Sequence, residues 1–454
     1  MATVLAETPS DVAAPEPADP FRARRERLLE QIGGGVAVFC ASPILIKSRD
    51  TELRYRPTSE LFYLTGFDEP GTVAVLTPHD PAHRLTLFVR PRDPEREVWD
   101  GPRAGVEGAR ERFGADAAYT DDQLETRLKE LLEPADAVWY ALGSHDEMDW
   151  RIIRLARSWR QTRPRSGKAP WDVRDPGQLL DRMRLVKDDA EIEQIRRACR
   201  LSAQGHAAAM RAARPGVGEW ELEAKLDATF RAGGADCGVA FATIVGSAAN
   251  ATTLHYVSNT RRVEDGELVL VDAGAEAGYY CGDITRTFPV SGRFTPAQRA
   301  VYDVVLAAEE AAIAAVAPGA PFTAIHEAAR RVLVEGMVSL GLLQGEVDEL
   351  IANEAFRRFF MHQTSHYLGL DVHDVGPYKG PDGEPTILEP GMVLTIEPGL
   401  YIPAGAEDVP EELRGIGIRI EDDVLVTDDG REVLTRDVPV AAEEVEALVG
   451  ADCR

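Results

Sequence analysis

The stretch ELVLVDAGAEAGYYCGDITRTFP, Glu267 to Pro289, constrains the fold more than any other part of the chain. It predicts two strands, Glu267–Ala273 and Tyr279–Phe288, closed by a turn at Ala277-Gly278. That register sets Asp272 directly opposite Asp283. Opposed side chains sit roughly 4.5–5.5 Å apart at Cβ, and like charges there are destabilising. Either the hairpin is exposed and both aspartates are solvated, or protons or cations lie between them, with divalent metal the productive solution.

At 454 residues the chain exceeds a single core, which predicts two or three domains. Residues 1–20 are rich in Pro, Ala and acidic residues and read as a disordered tail. Residues 21–175 mix helix and strand signals. A helix is expected near Arg22–Gln31, strands at Val36–Cys40, Leu61–Leu64, Thr72–Leu76, Leu85–Val89 and Ala137–Tyr140, and helices near Asp122–Leu132 and Asp149–Ser158. The Pro, Gly and basic run at 160–177 reads as a linker. Beyond it Asp188 and Glu191 form a capping-box pair, as do Thr295 and Gln298 later. From there the order helix, helix, strands occurs twice. This implies two related halves facing a central site over residues 176–440, with 441–454 as a C-terminal tail.

The net charge of -26 opposes a nucleic-acid backbone or an anionic membrane surface as partner. No stretch approaches the roughly 18 apolar residues that span a bilayer. The five cysteines are scattered without C-x-x-C spacing, and the N-terminus has neither a basic start nor an apolar run. A cytoplasmic protein is expected.

The second half supplies further donors. HQTSHYLGLDVHD (362–374) holds His362, His366 and His373, three of the chain's nine histidines, and none makes an H-E-x-x-H zinc helix. Glu397 ends an apolar strand before Pro398, where an unpartnered charge would be costly. In GIGIRIEDDVLVT (415–427) alternation puts Ile416, Ile418 and Ile420 on one face and Gly417, Arg419 and Glu421 on the other. Asp272, Asp283, His366, Glu397 and Glu421 make an oxygen-rich set with one imidazole. Such a set suits two divalent ions, Mn²⁺, Co²⁺ or Fe²⁺ before Zn²⁺. Paired ions support amide hydrolysis.

With these five residues in the order LHY, VDAG, GDITRTF, HxxxHxLGLDVHD, EPG, GIRIEDDVLVT, the chain resembles the pita-bread metallopeptidases, and within them the Xaa-Pro aminopeptidases. The likeness runs from Arg22 to about Pro439 and includes RYRPTSELFYLTGFDEPGTV in the N-terminal domain. It implies an α+β chain with a C-terminal pita-bread fold behind a smaller mixed α/β domain. It further implies that Asp272 and Asp283 hold one metal and Asp283, His366, Glu397 and Glu421 the other. Glu397 would be the general base. His255, in TTLHYVS, and His373 would stabilise the tetrahedral intermediate, and His362 would line a proline pocket. Arg419 would sit at the substrate site and brace a ligand carboxylate, first of all Asp272. Trp99, in REVWDG, would reach a neighbouring subunit's site in a homodimer or homotetramer.

The implied activity is removal of an N-terminal residue from peptides with proline second, with manganese the first metal expected. Two alternatives share the fold: a prolidase restricted to Xaa-Pro dipeptides, and a non-catalytic peptide-binding protein.

Overall fold

The computed structural model describes residues 19–453. Most of the expected N-terminal tail (1–18) lies outside them. Asp19 and Pro20 belong to the first helix instead. Asp19 Oδ1 accepts from Phe21 N and Arg22 N at 3.0 and 3.2 Å, capping Pro20–Ile32 in the usual Asp-Pro arrangement. The chain divides into two compact units, residues 1–180 and 181–454.

The first unit is built on a six-stranded mixed sheet. Its spatial order is 117–120, 85–89, 73–76, 36–40, 137–139, 172–174. The central strand Val36–Cys40 runs antiparallel to Val73–Leu76 and parallel to Ala137–Trp139. Two expectations are corrected. Leu61–Leu64 is no strand but lies in the helix Ser59–Thr65, closed by Gly66 at φ 66. A four-residue apolar run carries no period, and the Thr58 start and glycine stop decide it. The expected linker at 160–177 is helical as far as Ser166, because Asp146–Ser166 continues through Pro164 to a Gly167 cap. That proline removes one hydrogen bond near the helix end, where a break costs least.

The second unit carries the repeat. Helices Asp189–Ala212 and Glu219–Ala232 precede the ladder 244–247, 268–273, 284–289; helices Pro296–Ala315 and Thr323–Ser339 precede the ladder 393–396, 422–427, 430–433. Both capping boxes form, Asp188 with Glu191 and Thr295 with Gln298. The helices bury alanine, leucine and valine faces against the ladders, leaving the strand ends free to carry polar groups. The two halves join where Glu421 N donates to Thr285 O at 3.0 Å.

The expected C-terminal tail is also corrected. Ala442–Leu448 is a helix whose Ala442, Val445 and the following Val449 are buried. Their i, i+3, i+7 spacing is an amphipathic signal, and Gly450 N ties the segment to Met210 O at 3.0 Å. Among the described residues no helix is long and apolar enough to cross a membrane.

Candidate metal centre

The hairpin forms with its register shifted from expectation. The turn is Gly278-Tyr279, with φ of 56° and 68°, the doubly positive pair of a type I′ turn. Tyrosine is an unusual occupant of that conformation, so nothing in the local sequence signals it. Asp272 therefore pairs with Thr285, not Asp283, and on its other side with Ile244. Asp283 falls just before its strand resumes at Ile284. The two chains cross so tightly here that a Cβ on Gly274 would lie 1.7 Å from Gly282 O. Both aspartates nonetheless line one cavity of about 1020 Å³, with His366, Glu397 and Glu421.

His366 is oriented by its loop. Its Nδ1 lies 3.0 Å from Tyr367 O and so carries the proton, leaving the Nε2 lone pair directed at Asp283 Oδ2 (3.6 Å) and Glu397 Oε1 (3.7 Å). Burial lowers its pKa to about 4, which keeps the ring neutral. Donor atoms of Asp283, His366 and Glu421 all fall within 4.8 Å of one another. Glu421 Oε2 accepts from Thr285 Oγ1 at 2.6 Å. Arg419 is the organising cation. It donates through Nη2 to Asp272 Oδ2 at 2.6 Å, through Nε to Thr285 Oγ1 at 3.1 Å and through Nη1 to Tyr401 Oη at 3.0 Å.

One arginine does not balance four carboxylates. Burial first, then Glu421 and Asp272, pushes Asp283 well above the ordinary carboxylate range. Burial, then Glu397 and Asp272, does the same to Glu421. Glu397 rises to about 8 through burial, with Arg419 opposing and Asp272 adding. Asp272 Oδ1 and Asp283 Oδ1 are buried without a hydrogen-bond partner. Orphaned buried carboxylate oxygens beside a neutral imidazole are the donors that divalent cations satisfy, so the residues present fit metal ions.

The remaining expected residues are placed as follows. His373 meets His366 edge-on, ring centroids 4.5 Å apart, and His255 lies on the cavity wall; both are exposed. His362 Nδ1 lies 2.7 Å from Gln363 O and its Nε2 2.8 Å from Tyr401 Oη, which makes Tyr401 the donor in a line from Arg419 through Tyr401 to His362. Burial and the Arg419 charge lower His362 to about 3. Trp99 belongs to the first unit, on the helix Pro94–Asp100, and is 84% exposed. The cavity is lined by the second unit alone.

Sequence reasoning missed several contributors. Tyr401 and Thr285 hold Arg419, and His326 and Arg330 line the cavity from the helix Thr323–Ser339. Asp374, next to His373, is a further contributor. It accepts from Arg184 Nη2 at 2.6 Å and Lys187 Nζ at 2.9 Å, pinning the loop that carries both histidines. Asp423 Oδ2 accepts the backbone N–H of Asp283 at 2.9 Å and the Cys199 thiol at 3.2 Å. Among these Asp374, Asp423 and Thr285 lie within two residues of positions already singled out; Tyr401, His326 and Arg330 carry no local signal.

Known proteins resemble this chain in sequence and fold. Residues 193–428 match the model of metallopeptidase family M24, and residues 21–139 match that of the aminopeptidase P N-terminal domain. The chain is 45% identical to the Xaa-Pro aminopeptidase of Escherichia coli over 95% of its own length and 97% of that protein's. It is 37% identical to human Xaa-Pro aminopeptidase 3, over 90% and 80%. The solved structure of Pseudomonas aeruginosa aminopeptidase PepP superposes with a TM-score of 0.93 at 45% identity, covering 95% of this chain and 98% of that one. Zinc-substituted Escherichia coli aminopeptidase P in complex with product matches at 0.91 and 44% identity, covering 96% and 98%.

Proposed function

The chain belongs to metallopeptidase family M24 and hydrolyses N-terminal Xaa-Pro peptide bonds with divalent metal, and we propose that it does so at the cavity between its two repeats. In this reading the pita-bread unit holds two ions, Asp272 and Asp283 at one and Asp283, His366, Glu397 and Glu421 at the other. Such ions, when bound, polarise a carbonyl and make water a nucleophile at neutral pH. The oxygen-rich donor set favours manganese over zinc.

The observation that carries the reading is the pair of orphaned oxygens, Asp272 Oδ1 and Asp283 Oδ1, among buried carboxylates that only one arginine offsets. The Glu397 carboxylate accepts no hydrogen bond from the described residues, with the nearest imidazole nitrogens at 3.6 and 3.7 Å, and faces the cavity, as a proton acceptor must. It takes the proton of the attacking water and returns it to the leaving proline nitrogen. His255 and His373, exposed on the cavity wall, donate to the developing oxyanion. His362, held neutral and fixed by Tyr401, flanks the proline ring. Proline's tertiary amide offers no N–H for recognition, so ring shape must select it.

Two broader features complete the proposal. Trp99 and Val98, 84% and 82% exposed on a helix with no buried residue, suit an interface between copies in a homodimer or homotetramer. Five free cysteines, two of them buried thiols, suit the cytoplasm.

The deciding experiment compares an Xaa-Pro dipeptide with a longer Xaa-Pro-Xaa peptide, after chelation and again with added Mn²⁺. Metal-restored release of the first residue from the longer peptide is expected. Turnover of the dipeptide alone would make the protein a prolidase, and metal-independent cleavage would overturn the metal assignment.

A further inference from the structure

The cavity wall leading away from Glu397 is built from packed rings and one helix face. His362 and His326 both lie against Phe360, with centroids 4.9 and 5.6 Å from it. Arg330 follows one helical turn after His326, with its guanidinium carbon 5.8 Å from the Phe356 ring. It lines the same cavity, is half-buried, and its Nε is buried with no hydrogen-bond partner. Among the described residues no carboxylate lies within ion-pair distance of it. Even Glu327, three residues earlier and also on the cavity wall, makes no ion pair with it.

Its neighbours are different. Arg331 pairs with Asp348 at 2.8 Å and Arg357 with Glu354 at 3.0 Å. In a chain with 76 acidic residues against 50 basic ones, this arginine keeps no carboxylate partner among the described residues and presents its guanidinium to the substrate cavity.

We propose that Arg330 is a carboxylate-recognising subsite for the peptide beyond the proline. It takes either the free C-terminal carboxylate of a short substrate or an acidic side chain of a longer one. The proposal deepens the functional reading above, resting on the placement of the proline ring at His362. An extended peptide advances about 3.3 Å per residue. His362 and His326, each packed on Phe360, are therefore separated by at most roughly three residues of extended chain, and the Arg330 side chain leans back toward that turn of its helix. The carboxylate it meets lies roughly two to four residues past the proline. Acidic groups surround the reaction centre and a cation stands beyond it, so the cavity orients a peptide with its amine inward and its carboxylate outward.

The test uses the full-length, metal-loaded enzyme and matched peptides. A neutral reference, Xaa-Pro followed by alanines and a C-terminal amide, is compared with free acids of three to six residues. It is also compared with amidated peptides carrying one Glu at positions three to six. The wild type is expected to favour at least one carboxylate-bearing peptide by about tenfold in kcat/KM, mainly through KM. In Arg330→Met that ratio should fall to about one, and Arg330→Lys should keep part of it. Preference for free acids alone assigns the C-terminus, and preference for Glu alone assigns a side chain. Equal turnover of all peptides by the wild type, or a preference that survives Arg330→Met, overturns the proposal. Should Arg330→Met not fold, Arg330→Gln takes its place in the same comparison. Cleavage of the neutral reference by the wild type separates failure of this subsite from failure of the peptidase reading.

Discussion

Asp272, on a first-repeat strand, and Arg419, on a second-repeat strand, meet at 2.6 Å with both side chains buried, and this pair ties the two repeats together at the cavity. Arg419 has no shorter route to charge balance, since its other donors go to Thr285 and Tyr401 hydroxyls. Replacing it with Met should free Asp272 and release the hold on His362 through Tyr401. Metal affinity or kcat/KM should drop about 10- to 100-fold, as for loss of other groups that orient ligands. Elemental analysis beside steady-state kinetics would check this; unchanged values for both would remove Arg419 from the site.

Asp283 is the carboxylate most crowded by its neighbours. Asp283→Ala should abolish turnover while leaving the fold intact. In chelated protein near pH 8 the same change should raise the melting temperature, because it removes one member of a repelling group. In metal-loaded protein it should lower it. Thermal melts with and without chelator give both signs, and Glu421→Gln should behave alike.

The pH dependence of the chelated protein has a definite sign. Asp283 and Glu421 are raised, and Glu397 and Asp423 are raised to about 8. A raised folded-state pKa contributes stability fully below the unfolded value near 4, and that contribution is lost as pH climbs through the folded value. Metal-free protein should therefore lose stability steadily from about pH 4 to pH 8. Added Mn²⁺ should flatten the decline and release protons on binding, which calorimetry in buffers of different ionisation enthalpy would detect.

The loop carrying His366 and His373 depends on Asp374. Burial alone would raise this carboxyl, but Lys187 and Arg184 outweigh it and hold its pKa low. Its contribution is thus present above the unfolded value and lost in acid. Asp374→Ala would leave two buried cations short of a partner, although Arg184 keeps Asp371 at 2.7 Å. A destabilisation of about 3 kcal/mol is expected in urea titrations, with reduced turnover in the fraction that remains folded.

Gly274→Ala should prevent formation of the hairpin crossing, since its Cβ would overlap a backbone oxygen that no rotamer change can move. Soluble, metal-binding protein recovered from this variant would contradict the close approach of Gly274 and Gly282.

Much of this protein is legible in its sequence because much of it is local. The capping boxes at Asp188 and Thr295 and the strands 36–40 and 85–89 all announce themselves within a few residues. Local rules also account for the misses. Leu61–Leu64 has too few residues to show a period, and the Pro, Gly and basic composition of 160–177 signals a linker although Pro164 is accommodated near a helix end. The hairpin register departs at Tyr279, whose left-handed conformation, φ 68°, is one that tyrosine does not signal in a sequence.

Residue type and short-range spacing were enough to read the donor candidates, the repeat of helix, helix and strands, and the capping boxes at Asp188 and Thr295. Only the tertiary structure decided what surrounds each charge. Arg419 finds Asp272 across 147 residues, Asp423 holds the Asp283 backbone across 140, and Arg330 has no carboxylate within ion-pair distance among the described residues. Burial and charge pairing depend on distances in space, and a chain's order constrains those only after its cores have packed.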